Sequence, residues 1–179
     1  MKQENSNPSD HTKSASRTQR LAVLALLTAA ALMIYAIESL LPTFVPIPGI
    51  RLGLANVITL ITIKRYGARD ALLVLLARIF LSCFFFGQFM SLLYSLCGGL
   101  FCMLVTWLIC LLLAGNYLWI ISIFGAIAHN LAQLAVAFFL TKTPGVLAYL
   151  PFLMISAILT GLFTGLCAHF TLKHLPAKR

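Results

Sequence analysis

Long apolar runs alternate with short polar breaks along this chain, and the spacing of the breaks predicts helices. Residues 1–20, MKQENSNPSDHTKSASRTQR, are polar and rich in Ser and Asn, and read as a disordered tail. Residues 21–41 form an apolar run interrupted only by Thr28, Tyr35, Glu38 and Ser39. The core of a signal peptide is about 7–15 residues, so a run this long, continuing past the small-residue cluster TAAA, predicts an uncleaved first helix. Pro42, Pro46, Pro48 and Gly49 then force an extended loop, because proline lacks a donor and biases the preceding residue away from the helical region. Arg51 is expected to open the second helix. The apolar residues that follow, 52–63, would cover only about 18 Å, short of a bilayer core near 30 Å. This helix either carries charged ends that snorkel or enters a thinned or protein-lined region.

KRYGARD at 64–70 is the only internal charge cluster, and a third helix starts at Ala71 and runs into CFFFGQF. Gln88 and SLLYSLCGGL read as a boundary or a short broken helix. A fourth span follows over about 99–114, a fifth over 118–140, a loop at TKTPG, and a sixth span over about 150–172, before the basic end KHLPAKR. The expected fold is all-α: a polytopic bundle of about six transmembrane helices over 21–172, flanked by the tail and a basic C-terminus at 173–179.

Composition supports the membrane reading. The chain is 61% hydrophobic and 9% charged, against roughly 45–50% and about 25% in soluble domains. With six spans, Lys2, Lys13, Arg17, Arg20, Lys64, Arg65, Arg69, Lys173, Lys178 and Arg179 fall on one side, and Arg51 and Lys142 on the other. Short cytoplasmic loops carry the Lys/Arg excess, so both termini are expected in the cytoplasm and the chain in the cell membrane. The net charge of +9 then follows from topology and attraction to anionic lipid, with no need of a nucleic-acid partner.

Cys83, Cys97, Cys102, Cys110 and Cys167 lie in or beside apolar segments without C-x-x-C spacing. They read as small buried hydrophobes, and neither a disulfide framework, a metal site nor a cofactor is indicated. Gly161 and Gly165 have the G-x-x-x-G spacing that lets helices approach closely, here most simply within the bundle.

The polar residues inside the spans are few: Glu38, Asn56, Arg78, Gln88, His129, Asn130, Gln133 and His169, with Arg51 at the entrance. Ionisable groups at such depth face the bundle interior and mark a pathway or ligand site. A purely structural reading pairs Glu38 with Arg78, since a lone mid-span arginine costs about 2.5–3.5 kcal/mol on insertion scales. AHNLAQ on the fifth helix is the sharper constellation. His129 and Gln133 share a face, and Asn130 sits about 100° around. Interhelical hydrogen bonds are worth only about 0.6 kcal/mol each, a weak reason to place three such groups together, so a ligand-lining role is favoured. His169 reads as interfacial.

Several enzyme classes are excluded. Prenyl transferases hold diphosphate through magnesium on Asp-rich motifs, and this chain has only Asp10 and Asp70. It also lacks a G-x-x-x-x-G-K-[ST] loop, so ATP-driven work would fall to another subunit. A Ser/His/Asp set is excluded because no aspartate lies within the spans.

The ordered series ESLLP, PGIRLGLANVITL, YGARDALLVLLAR, SLCGGL and AHNLAQ, across about 38–133, resembles the small membrane family called Gx transporters, often labelled heptaprenyl diphosphate synthase component I. In outline the family is also similar to the substrate-binding S components of energy-coupling-factor (ECF) transporters. That likeness implies a substrate site under the loop between helices one and two, and a small-residue face on helix one that docks a coupling subunit; Ala22, Ala25 and Ala29 have suitable spacing. The expected site is Glu38, Arg51, Asn56, Arg78, His129, Asn130 and Gln133, with the Arg51 guanidinium holding an anionic group and apolar walls accepting a ring or isoprenoid. Two functions follow. One is a solute-binding transport subunit for a vitamin-like or isoprenoid- or quinone-related molecule, energised by ECF-type coupling and ATPase subunits or acting alone as a carrier. The other is a noncatalytic membrane partner of a soluble prenyl diphosphate synthase, docking on KRYGARD.

Overall fold

The computed structural model describes residues 8–40, 50–87, 89–113 and 117–174, with side chains from residue 17 on. The described residues form six α-helices and no strand: α1 Pro8–Leu40, α2 Asn56–Tyr66, α3 Ala68–Phe86, α4 Phe89–Leu112, α5 Leu118–Thr141 and α6 Leu150–His174, with a 3-10 turn at Pro144–Tyr149. Consecutive helices alternate in direction. Leu24 of α1 packs with Leu118 and Ala168 at one end, and Ile50 packs with Tyr94, Leu134, Ala137, Val146 and Leu153 toward the other.

Four helices, α1, α4, α5 and α6, are long and apolar enough to cross a membrane. Their surroundings fit that solvent. Phe84 is 83% exposed and Leu112 82%, whereas Asn130 and Gln133 are 1% and 0% exposed. In hydrocarbon an apolar exterior costs nothing and polar groups must be enclosed by protein.

The structure departs from the sequence reading in three places. The first helix begins at Pro8, so the predicted disordered tail is helical from that residue, and only 1–7 of it lie outside the described residues. Extending an existing helix fixes one residue per hydrogen bond gained, and proline at the first position loses nothing. The second helix starts at Asn56 and not at Arg51. Gly53 has φ +79°, outside the right-handed region, and the backbone ahead of α2 hydrogen-bonds to side chains of other helices. The third departure is the break expected around SLLYSLCGGL: α4 runs unbroken through Gly98 and Gly99 because each glycine is packed against another helix.

α2 resolves the question raised by its length. Ile58, Thr59, Leu60, Ile61, Thr62 and Ile63 are all buried, so this short helix is enclosed by protein on every side and does not face lipid. Gly67, with φ +98°, is the single residue joining it to α3. Arg20 of α1 then clamps the hairpin: its Nε lies 3.0 Å from Asp70 Oδ2 and its Nη2 donates to Oδ1, a bidentate grip. α5 and α6 meet closely, since a Cβ on Gly161 would lie 2.6 Å from Ile123 Cα and one on Gly165 2.5 Å from Trp119 Cα. The G-x-x-x-G spacing therefore serves packing within the bundle.

Candidate functional site

The non-helical backbone at 50–55 ends up deep among helices, where every donor needs a partner. Glu38 supplies two acceptors: Oε1 accepts the Gly53 N–H at 2.7 Å and Oε2 the Leu54 N–H at 3.0 Å. Gln133 Oε1 accepts the Arg51 N–H at 3.3 Å. α1 and α5 thus hold this segment in place through two of the predicted residues.

The expected Glu38–Arg78 ion pair is absent. Arg20–Asp70 is the only salt bridge among the described residues. The Glu38 carboxylate prefers two well-placed backbone donors, and its charge still acts on Arg51 and Arg78 through space. Both guanidiniums gather at Tyr35, Arg51 Cζ at 4.2 Å and Arg78 Cζ at 6.0 Å from the ring centroid, where the ring face attracts a cation. Arg51 Nε also donates to Ser91 Oγ at 3.3 Å, and Ser91 is hydrogen-bonded to Tyr35 Oη at 3.1 Å.

His129 lies between two glycines. Its Nδ1 is 3.2 Å from Asn56 Nδ2. A Cβ at Gly53 would come within 2.9 Å of Cδ2 and Nε2, and one at Gly98 within 2.8 Å of Cε1 and Nδ1. The imidazole fits only because neither neighbour has a side chain. Asn130 points elsewhere: its Nδ2 donates to the Leu153 carbonyl at 2.8 Å, which ties α5 to α6.

The structure therefore brings Glu38, Arg51, Asn56, Arg78, His129 and Gln133 into one connected region and gives Asn130 a largely structural bond. Gln88 lies outside the described residues, as does the loop at 41–49. His169 is exposed and meets the ring of Phe170. Ala22, Ala25 and Ala29 are exposed along α1. Sequence reasoning missed Tyr35, Ser91, Gly53 and Gly98. Tyr35 had a visible signal, its position one turn before Glu38 on the same helix face; Ser91 had none.

Six buried side-chain atoms have no hydrogen-bond partner among the described residues: Asn56 Oδ1, Arg78 Nε and Nη2, His129 Nε2, Asn130 Oδ1 and Gln133 Nε2. All belong to the predicted set. An unsatisfied buried polar group costs about 1–3 kcal/mol and is rare in native structures, so six together are not accounted for by packing. The adjoining crevice, lined by Gly53, Asn56, Cys102 and Thr106 among others, has room for about one water molecule. A ring or prenyl chain finds no space there among the described residues.

Residues 27–171 match the family described as heptaprenyl diphosphate synthase component I. The chain belongs to that family. Component I is the noncatalytic subunit of heptaprenyl diphosphate synthase, in keeping with a chain whose two aspartates sit in the N-terminal stretch and in an ion pair. No curated protein and no solved structure matches the chain. The component I match encloses every residue of the polar region and begins beyond Ala22 and Ala25.

Proposed function

We propose that this chain is the membrane component that holds a soluble prenyl diphosphate synthase against the bilayer, itself taking no part in bond making. The observation that carries the reading is the component I match over 27–171. In this reading the six helices cross the cell membrane with both termini in the cytoplasm. The cytoplasmic end carries Arg20, Lys64, Arg65, Arg69 and Lys173, and Lys142 lies at the far end of α5. The α2–α3 hairpin, fixed by Arg20–Asp70, is the docking surface. Its cations meet an acidic patch on the partner, and their charge steers the encounter.

The test is flotation of the soluble catalytic component with proteoliposomes containing this chain. Wild-type vesicles are expected to carry the synthase upward at low salt. Reversing Lys64, Arg65 and Arg69 to Glu is expected to cut the bound fraction roughly tenfold, three rim charges at about 0.5 kcal/mol each. Unchanged flotation of the triple variant would move docking off the hairpin, and no flotation by wild type would remove the reading.

The partnerless buried atoms favour a second role in the same chain, the binding of a small solute as in S components. Glu38 and Gln133 would shape the site, Arg51, Arg78, Asn56 and His129 would contact the ligand, and the exposed Ala22–Ala25–Ala29 stripe would meet an ECF-type coupling subunit.

A further inference from the structure

Four helices turn polar side chains toward the water-sized crevice. Its walls include Asn56 of α2, Thr106 of α4, Ser122 of α5, and Thr160 and Thr164 of α6, with Gly53 just ahead of α2. Most of the hydroxyl protons here are already used. Thr164 Oγ1 donates to the Thr160 carbonyl at 2.8 Å, so Ser122 Oγ donates to Thr164 Oγ1, also at 2.8 Å. Thr160 Oγ1 donates to the Ser156 carbonyl at 2.8 Å. A hydroxyl has one proton and two lone pairs, so Ser122 and Thr160 keep acceptor capacity and have no proton left to give.

Asn56 adds a third acceptor. Its Nδ2 is engaged with His129 Nδ1 at 3.2 Å, and its Oδ1 is buried without a partner. Thr106 is the one hydroxyl on these walls with a proton to spare. It is buried, and its sole partner among the described residues is Cys102 Sγ at 3.9 Å, a weak acceptor. Gly125 of α5 makes room for this hydroxyl, since a Cβ there would lie 2.5 Å from Thr106 Oγ1. The walls therefore offer three acceptors and one donor. The matching occupant gives two hydrogen bonds, takes one and is no larger than water. A carboxylate or a carbonyl group brings no donor, and a cation would meet the positive charge of Arg78, which acts on Cys102 at the crevice wall.

We propose that the crevice is a binding site for one structural water, which donates to Asn56 Oδ1 and to an oxygen of Ser122 or Thr160 and accepts from Thr106. The inference goes beyond the docking and solute readings and depends on neither. The water ties the start of α2 to α4, α5 and α6 in a region that lipid surrounds, where a bridged polar group is far better placed than a bare one. It also fixes the Asn56 amide, with Oδ1 toward the water and Nδ2 toward the imidazole. His129 Nδ1 is then an acceptor, and the ring proton sits on Nε2. A water that does not touch the buried histidine thus sets its tautomer.

The full chain in maltoside micelles is equilibrated with oxygen-18 water and given brief X-ray pulses, and the label taken up by Cys102 and Met103 is read by mass spectrometry. Radicals made from a bound water oxidise the side chains beside it. Both residues are buried sulfur side chains of α4, but Met103 packs in an apolar cluster with Leu75 and Ile79. Cys102 is expected to take label and Met103 to take none. The double variant Thr106→Val with Thr160→Val should lose the Cys102 label. No hydrogen bond joins these two threonines, so their effects on melting should couple only through the water. Each single variant is expected to melt about 3 °C lower, and the double variant to fall by clearly less than the two together. An unlabelled Cys102 in the wild type overturns the site, as does label that persists in the double variant or a strictly additive fall in melting. A rise in melting with sodium chloride over choline chloride, lost in the double variant, overturns the water in favour of a cation.

Discussion

Replacing Glu38 with Ala is expected to remove most of the folded protein from the membrane. Two backbone donors, Gly53 and Leu54, lose a carboxylate at 2.7 and 3.0 Å, and each hydrogen bond to a charged group is worth about 1.5–3 kcal/mol. Arg78, buried, and Arg51 lose the carboxylate that acts on them at the same time, and stranding a buried charge costs about 3–5 kcal/mol. The terms overlap, so a total near 5 kcal/mol is expected, comparable with the whole stability of a small domain. Glu38→Gln keeps one acceptor and loses the charge, so it should fall between Ala and wild type. Monodisperse yield after detergent extraction ranks the three. A Glu38→Ala protein that is extracted and melts like wild type would show that the 50–55 segment is held by something else.

Gly98→Ala carries the next largest effect. The added methyl group would sit 2.8 Å from His129 and 3.0 Å from Gln133 Cγ, and overpacking of this kind costs about 1–3 kcal/mol. Because the nearest obstacle is the His129 ring, with Gln133 Cγ slightly farther off, His129→Ala should restore much of the loss in the double variant, and the coupling would appear in a double-mutant cycle. Gly53→Ala should be rescued less by the same change, since its φ of +79° adds strain that no neighbour can relieve. Additive losses for Gly98→Ala and His129→Ala would show that the ring does not occupy the space between α4 and the 50–55 segment.

Much of this was legible in the sequence because the membrane restricts what a chain can be. Apolar runs of fixed length predicted the helices, and polar residues at depth named Glu38, Asn56, Arg78, His129 and Gln133 before any geometry was known. Their partners were less visible. Composition pairs a carboxylate with a cation, and nothing local shows that Glu38 serves two backbone donors fifteen and sixteen residues on. Glycine signals were ambiguous for a similar reason: Gly98 and Gly99 look like a break in isolation, and only the facing His129 and Leu75 keep them helical. The helical start at Pro8 escaped notice because polar residues beyond the bilayer carry no hydrophobic period, although an established helix extends through them at little cost.

The most direct test of the central proposal is product formation by the soluble catalytic component, measured with labelled isopentenyl diphosphate beside proteoliposomes that contain this chain, the hairpin-reversed variant, or no protein. Heptaprenyl diphosphate is predicted to accumulate in the membrane fraction only with the wild-type chain. Equal product with empty vesicles would contradict the account.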